Sequence, residues 1–166
     1  MRCAVYAGTF DPITFGHLSV IERGVALFDR LIVVVAVNPN KRPLFELEQR
    51  VELIRQATRA WPSCEVTSTE GYVVALAREL GARFLVRGVR GATDTEAELE
   101  LARLNRELAP EIETVFVPAR AELSEVSSSR LKQLAAAGAD LSAYCPAHVA
   151  AALQALSPLT EEASHV

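Results

Sequence analysis

The chain has 166 residues, half of them hydrophobic and 23% charged, which suits one well-buried globular domain and is short for two. A net charge of −4 and a pI near 5.4 exclude a broad basic face of the kind that nucleic acid requires. The longest apolar run, Leu31 to Val37, is about a third of the ~20 residues that a membrane-spanning helix needs, and no secretory leader pattern is present. A cytoplasmic protein with no nucleic-acid or membrane partner is expected. Cys3, Cys64 and Cys145 have neither CxxC spacing nor adjacent histidines, so neither a disulfide framework nor a zinc site is expected.

Residues 2–7 read as a buried strand ended by Gly8, Asp11 and Pro12, residues that break strands and shape turns. From Gly16 onward Leu18, Ile21, Val25 and Phe28 recur at helical spacing, which predicts a helix over 16–28. Strand, loop and helix in that order aim the unpaired N–H groups of the helix start at the loop, where they attract an anion. Thr9 and His17 would flank it. The second strand, 30–37, is apolar without alternation, as expected of a central strand covered on both faces; Lys41 and Arg42 follow it.

Helical periodicity continues over 47–60, 71–81, 94–109, 128–137 and 146–156, and strand-like runs over 64–68, 82–87 and 112–117. Arg87-Gly88-Val89-Arg90 closes the fourth strand, and Ser127-Ser128-Ser129 opens the fifth helix. Residues 1–156 are expected to form one domain and 157–166, polar and containing Pro158, a flexible tail. Strands separated by helices imply parallel pairing. The expected fold is α/β, a Rossmann-like doubly wound five-stranded parallel sheet with helices on both faces. In such sheets ligands bind beyond the carboxyl ends of the strands, where the strand order reverses, and Thr9, Lys41 and Arg87 all fall at strand ends. Neither GxGxxG nor GxxxxGK[ST] occurs, which removes dinucleotide oxidoreductases and P-loop ATPases.

Thr14-Phe15-Gly16-His17 resembles the (H/T)xGH motif of the nucleotidylyltransferase superfamily. With Gly8-Thr9-Phe10-Asp11-Pro12, Asn38-Pro39-Asn40-Lys41, Val86-Arg87-Gly88-Val89-Arg90, Leu104-Asn105-Arg106 and Ser127-Ser128-Ser129, the chain resembles the bacterial phosphopantetheine adenylyltransferase family from about residue 2 to 156. The resemblance implies transfer of an adenylyl group from ATP to 4'-phosphopantetheine, a step of coenzyme A synthesis that gives dephospho-coenzyme A and pyrophosphate. It also implies Mg²⁺ as the metal, no covalent enzyme intermediate, a homohexamer, and coenzyme A as a candidate feedback ligand. Such an in-line attack on phosphorus is served by donors and cations, not by nucleophiles.

By the same resemblance, His17 matches the histidine that contacts the ATP phosphates and stabilises the transition state. Thr9 matches the hydroxyl shared by ATP and the acceptor phosphate, and Phe10 lends backbone to the nucleotide. Lys41 matches the lysine that neutralises the attacking phosphate, Arg87 the acceptor-side arginine, and Gly88, Val89 and Arg90 the ATP cradle. Glu98 matches an acidic residue near the nucleotide, although Asp94, Glu96 and Glu100 beside it fit a solvated acidic face. Leu123, Ser124, Glu125 and Val126 lead into Ser127, Ser128 and Ser129, which match the cluster that holds the β- and γ-phosphates; helix capping is their structural alternative. Val73 fits an apolar lining for the pantetheine arm, and no carboxylate cluster marks a protein-held metal.

The chain departs from the family at Ala7, usually proline, and Phe15, usually asparagine. Family aromatics are missing at Thr95, Ala97, Leu123 and Glu125, and the segment 71–76 lacks the usual Asp-Phe pair. Loss of ring surface at these places would cost nucleotide stacking or alter a subunit contact. Two alternatives therefore stay open. One is the same chemistry on another phosphorylated acceptor such as nicotinate mononucleotide; the other is a catalytically weak paralogue that binds nucleotide or coenzyme A. Lys41 and the single short domain favour phosphopantetheine, and retention of Thr9, His17, Lys41, Arg87 and the three serines argues for an active enzyme.

Overall fold

The computed structural model describes residues 1–40 and 42–162, with residue 93 and residues 157–162 through their backbone. The elements in order are β1 (Cys3–Gly8), α1 (Phe15–Leu27), β2 (Arg30–Ala36), α2 (Leu47–Thr58), β3 (Cys64–Thr69), α3 (Val73–Glu79), β4 (Phe84–Val89), α4 (Ala92–Leu108), β5 (Glu113–Pro118), a 3₁₀ turn (Ala121–Leu123), α5 (Ser128–Ala136) and α6 (Ala147–Glu162). All four strand pairings are parallel and the sheet order is β3-β2-β1-β4-β5. The order reverses between β1 and β4, so the crevice expected of a doubly wound sheet opens at the carboxyl ends of those two strands.

Alternation along the central strands sorts the core into two layers. Ala4 and Tyr6 of β1 with Val33 and Val35 of β2 face Ile21, Ile54, Leu131 and Val149 from α1, α2, α5 and α6. Cys3, Val5 and Ala7 with Ile32 and Val34 face Val74 and Ala77 of α3. β2 is thus buried on both faces, which accounts for its unbroken apolar run.

Several boundaries differ from expectation by one or two residues, β4 and the start of α4 among them, and α6 differs by more. α3 is two residues shorter at each end than the periodicity suggests, and α6 continues to Glu162 where residues 157–166 read as a tail. Val149 and Leu153 are buried and seed α6; an established helix then extends beyond its last buried residue at little further entropic cost. Residues 163–166 lie outside the described residues.

Candidate active site

β1 ends at Gly8, and the chain turns through Phe10, which is buried and takes a φ of 46°. A left-handed conformation at a bulky residue is costly and persists only where its surroundings impose it. Tyr6 packs edge-on against Phe10 and Phe10 edge-on against His17, with ring centroids 5.3 and 5.0 Å apart. This aromatic file carries the end of β1 to the start of α1.

There Thr14 caps the helix. Its Oγ1 accepts from the backbone N–H of His17 at 3.4 Å, and its own N–H donates to His17 Nδ1 at 3.1 Å, a reciprocal capping box. A backbone N–H can only donate, so Nδ1 is an acceptor and the ring proton sits on Nε2. Burial, helped by the charge of Arg90, pushes the His17 pKa down to about 4. At neutral pH His17 is therefore an uncharged donor, with no acceptor for Nε2–H among the described residues, beside the cleft it lines.

Two glycines allow the walls to close on this turn. A Cβ on Gly16 would lie 2.9 Å from the carbonyl oxygen of Val126, and one on Gly88 would lie 2.9 Å from Val20 Cγ2. The loop before α5 and the end of β4 are thereby pressed against α1.

Three cavities share walls along this edge. The first, about 210 Å³, lies over the β1–β4 gap and is lined by His17, Arg87, Gly88, Arg90, Glu98, Leu123, Val126 and Ser127, with Phe10 at its border. The second, about 200 Å³, is bounded by Thr9, Phe10, His17, Ser128 and Ser129, with Asp11, Arg42, Arg50 and Lys132. The third, about 490 Å³, is lined mainly by aliphatic side chains, among them Val73, Leu85, Leu101, Leu104 and Leu108. His17 and Phe10 border the first and second cavities, and Arg87 and Ala7 the first and third.

Most of the expected site residues thus converge, with some in other roles. Arg87 is gripped by Glu98 through bonds of 2.6 and 2.7 Å and donates to the Ala7 carbonyl at 2.9 Å. Burial pulls the Arg87 pKa down, but the bonds and charge of Glu98 outweigh it and leave it above the ordinary value. Glu98 is therefore the partner of Arg87 before it is anything else. Ser127 caps α5 by accepting from Arg130 N at 3.1 Å, and Ser128 donates to the Pro12 carbonyl at 2.8 Å, so those two hydroxyls build the site while Ser129 faces the second cavity. Ser124 donates to Ala121, and Val89 pairs with Pro118 at the sheet edge; these two and Glu125 line none of the three cavities. Lys41 lies outside the described residues.

Sequence reasoning passed over Asp11, Arg50 and Lys132. The Asp11 carboxylate accepts from Leu44 N at 2.8 Å, Phe45 N at 2.9 Å and Lys132 Nζ at 3.1 Å, tying the first loop to the approach of α2 and to α5. Arg50 sits one turn before Ile54 on the buried face of α2. An arginine inside an apolar stripe was the signal that could have exposed it.

The crevice position and the helix-start histidine define a nucleotidyltransferase, and the cytidylyltransferase-like family matches residues 5–134. A phosphopantetheine adenylyltransferase of Gloeobacter violaceus is 49% identical over 146 residues, covering 88% of this chain and 91% of the relative. One from Limosilactobacillus reuteri is 46% identical over 154 residues, covering 93% and 89%. A solved structure described as a nicotinate-nucleotide adenylyltransferase of Vibrio parahaemolyticus superposes with a TM-score of 0.69 at 17% identity, over 92% of this chain and 91% of that one, a likeness of fold alone. The chain belongs to the phosphopantetheine adenylyltransferase family.

Proposed function

We infer that this protein transfers the adenylyl group of ATP to the phosphate of 4'-phosphopantetheine, releasing pyrophosphate and dephospho-coenzyme A. The observation that carries this reading is His17, held as an Nε2–H donor at the border between the cleft over the β1–β4 gap and a cavity walled by cations. An oxygen of the acceptor phosphate attacks the α-phosphorus, the bond from that phosphorus to the bridging oxygen of the β-phosphate breaks, and the electron pair leaves with pyrophosphate. The attacking phosphate is already ionised at neutral pH, so no general base is required. His17 donates to the α-phosphate oxygen on which charge builds, while Thr9, Lys41, Arg90 and Ser129 orient and neutralise the phosphates.

The aliphatic cavity beside Arg87 supports an acceptor with a long uncharged arm over a small polar nucleotide. Mg²⁺ is proposed to enter on the ATP phosphates, where it would neutralise their charge. Coenzyme A combines the same arm with an adenine nucleotide and is proposed as a competing ligand of this cleft. Among the described residues no helix is long and apolar enough to cross a membrane; cytoplasmic placement is part of the proposal. A homohexamer is part of the proposal on the family resemblance.

The test is a pyrophosphate-release assay with ATP and Mg²⁺ against 4'-phosphopantetheine, nicotinate mononucleotide and pantetheine. Turnover with 4'-phosphopantetheine alone is expected. Turnover with nicotinate mononucleotide, or with none of the three, would overturn the reading.

A further inference from the structure

Arg50 is 3% exposed, and charged side chains are rarely buried so deeply without a partner. Among the described residues it enters no ion pair. Its Nη1 donates to the Thr9 carbonyl at 2.9 Å, and its buried Nε has no hydrogen-bond partner among the described residues. The carboxylate that shares its cavity, Asp11, is taken by two backbone N–H groups and Lys132. Lys132 and Asp11 cancel, so the charges of Arg42 and Arg50 leave this cavity positive.

The carbonyl that Arg50 holds is also significant. It belongs to the peptide leading into Phe10, whose left-handed backbone has to be imposed from outside. One guanidinium therefore steadies the strained turn of the first loop and brings an unmatched charge to the wall where Thr9 and Ser129 stand.

We propose that Arg50 is a positioning residue for the transfer, its guanidinium fixing the Thr9–Phe10 peptide and supplying a buried positive charge that a bound phosphate group, of ATP or of the acceptor, completes. The proposal rests on the adenylyl-transfer reading above. It predicts that Arg50 controls how strongly a phosphorylated ligand is preferred over the same ligand without its phosphate. It also explains why no acid within the chain matches the charge: the free protein carries an unpaired buried guanidinium at a cost that the bound phosphate relieves.

The experiment compares the full-length wild type with Arg50→Met, of similar length without charge, and with Arg50→Lys. Melting is followed alone and with ATP, pyrophosphate, 4'-phosphopantetheine or pantetheine, and KM and kcat are measured for both substrates. Arg50→Met is expected to melt within a few degrees of the wild type when free. It is expected to lose about tenfold or more in KM for the phosphorylated ligand that Arg50 serves, as for a lost hydrogen bond to a charged group. Stabilisation by pantetheine is expected to stay unchanged, and Arg50→Lys to recover part of the loss. A rise confined to ATP assigns the phosphate to the nucleotide, and one confined to 4'-phosphopantetheine assigns it to the acceptor; both support the proposal.

Wild-type constants and wild-type preference for phosphorylated ligands in Arg50→Met would overturn it. If Arg50→Met does not fold, Arg50→Lys decides, its KM for a phosphorylated ligand rising at unchanged melting or staying at the wild-type value. A wild type that makes no dephospho-coenzyme A refutes the functional reading, and stabilisation of the three proteins by ATP and pyrophosphate still judges Arg50 separately.

Discussion

The backbone N–H of Thr14 and the Nδ1 of His17 are 3.1 Å apart, and that single bond decides which ring nitrogen carries the proton. Because the donor is an amide, Nδ1 accepts and Nε2 donates. The helix cap and the chemistry are thus one device. The bond that satisfies an orphan group at the start of α1 also orients a neutral donor where the first two cavities meet.

Removing the ring therefore has two separable effects. His17→Ala is expected to keep ATP affinity within a few-fold while kcat falls by about 10²–10³, the usual result of deleting one transition-state donor. Loss of half the capping box is expected to cost about 1 kcal/mol of stability. Steady-state kinetics beside urea denaturation check both; turnover near the wild-type level would remove His17 from its role.

The depressed pKa of His17 gives a second expectation. The folded ring titrates at about 4 and the unfolded one near 6.5, so between those values only the unfolded chain takes up the proton. The contribution of His17 to stability is then full above about pH 6.5 and fades as the pH falls toward 4. The urea midpoint of wild type is expected to drop more steeply over that window than that of His17→Gln, which cannot titrate. Equal slopes would show that the folded ring is protonated as readily as the unfolded one.

Gly16 tests the closeness of the walls. A Cβ there would sit 2.9 Å from the backbone oxygen of Val126, and a backbone atom just before the cap of α5 cannot swing aside as a flexible side chain can. Gly16→Ala is expected to destabilise by about 1–3 kcal/mol through overpacking and to cut kcat more than its stability loss explains. Gly91→Ala, with nothing within 4 Å of the new Cβ, serves as the control.

Strands and helices were legible because apolar runs and turn residues alternate cleanly, and because β2 carries no polar residue after Arg30. The loop, the cap histidine, Gly16, Arg87 and the serines were legible through motif and resemblance. Contacts distant in sequence were not. Nothing local distinguishes Glu98, which grips Arg87, from Glu96 or Glu100, and hydroxyls at a helix start look alike whether they bind a ligand or, as Ser127 and Ser128 do, hold the chain. Arg50 was hidden because a charged residue in an amphipathic helix reads as solvent-facing until its neighbours are known.

Asp11 is the clearest of these unseen contacts, since its carboxylate joins three segments: the first loop, the backbone at Leu44 and Phe45, and Lys132 of α5. Asp11→Ala would leave two backbone donors and an ammonium without their acceptor, at about 1–3 kcal/mol for each buried group left unsatisfied. The segment it anchors follows Arg42 and Pro43, which line the second cavity, so that wall would lose its fixed end. The expected outcome is a lower melting temperature together with a KM for 4'-phosphopantetheine that rises more than the KM for ATP. Asp11→Asn, which keeps one of the two oxygens that Leu44 N and Phe45 N use and loses the charge facing Lys132, is expected to fall between the wild type and Asp11→Ala. A variant that loses stability with both KM values unchanged would confine Asp11 to holding the fold.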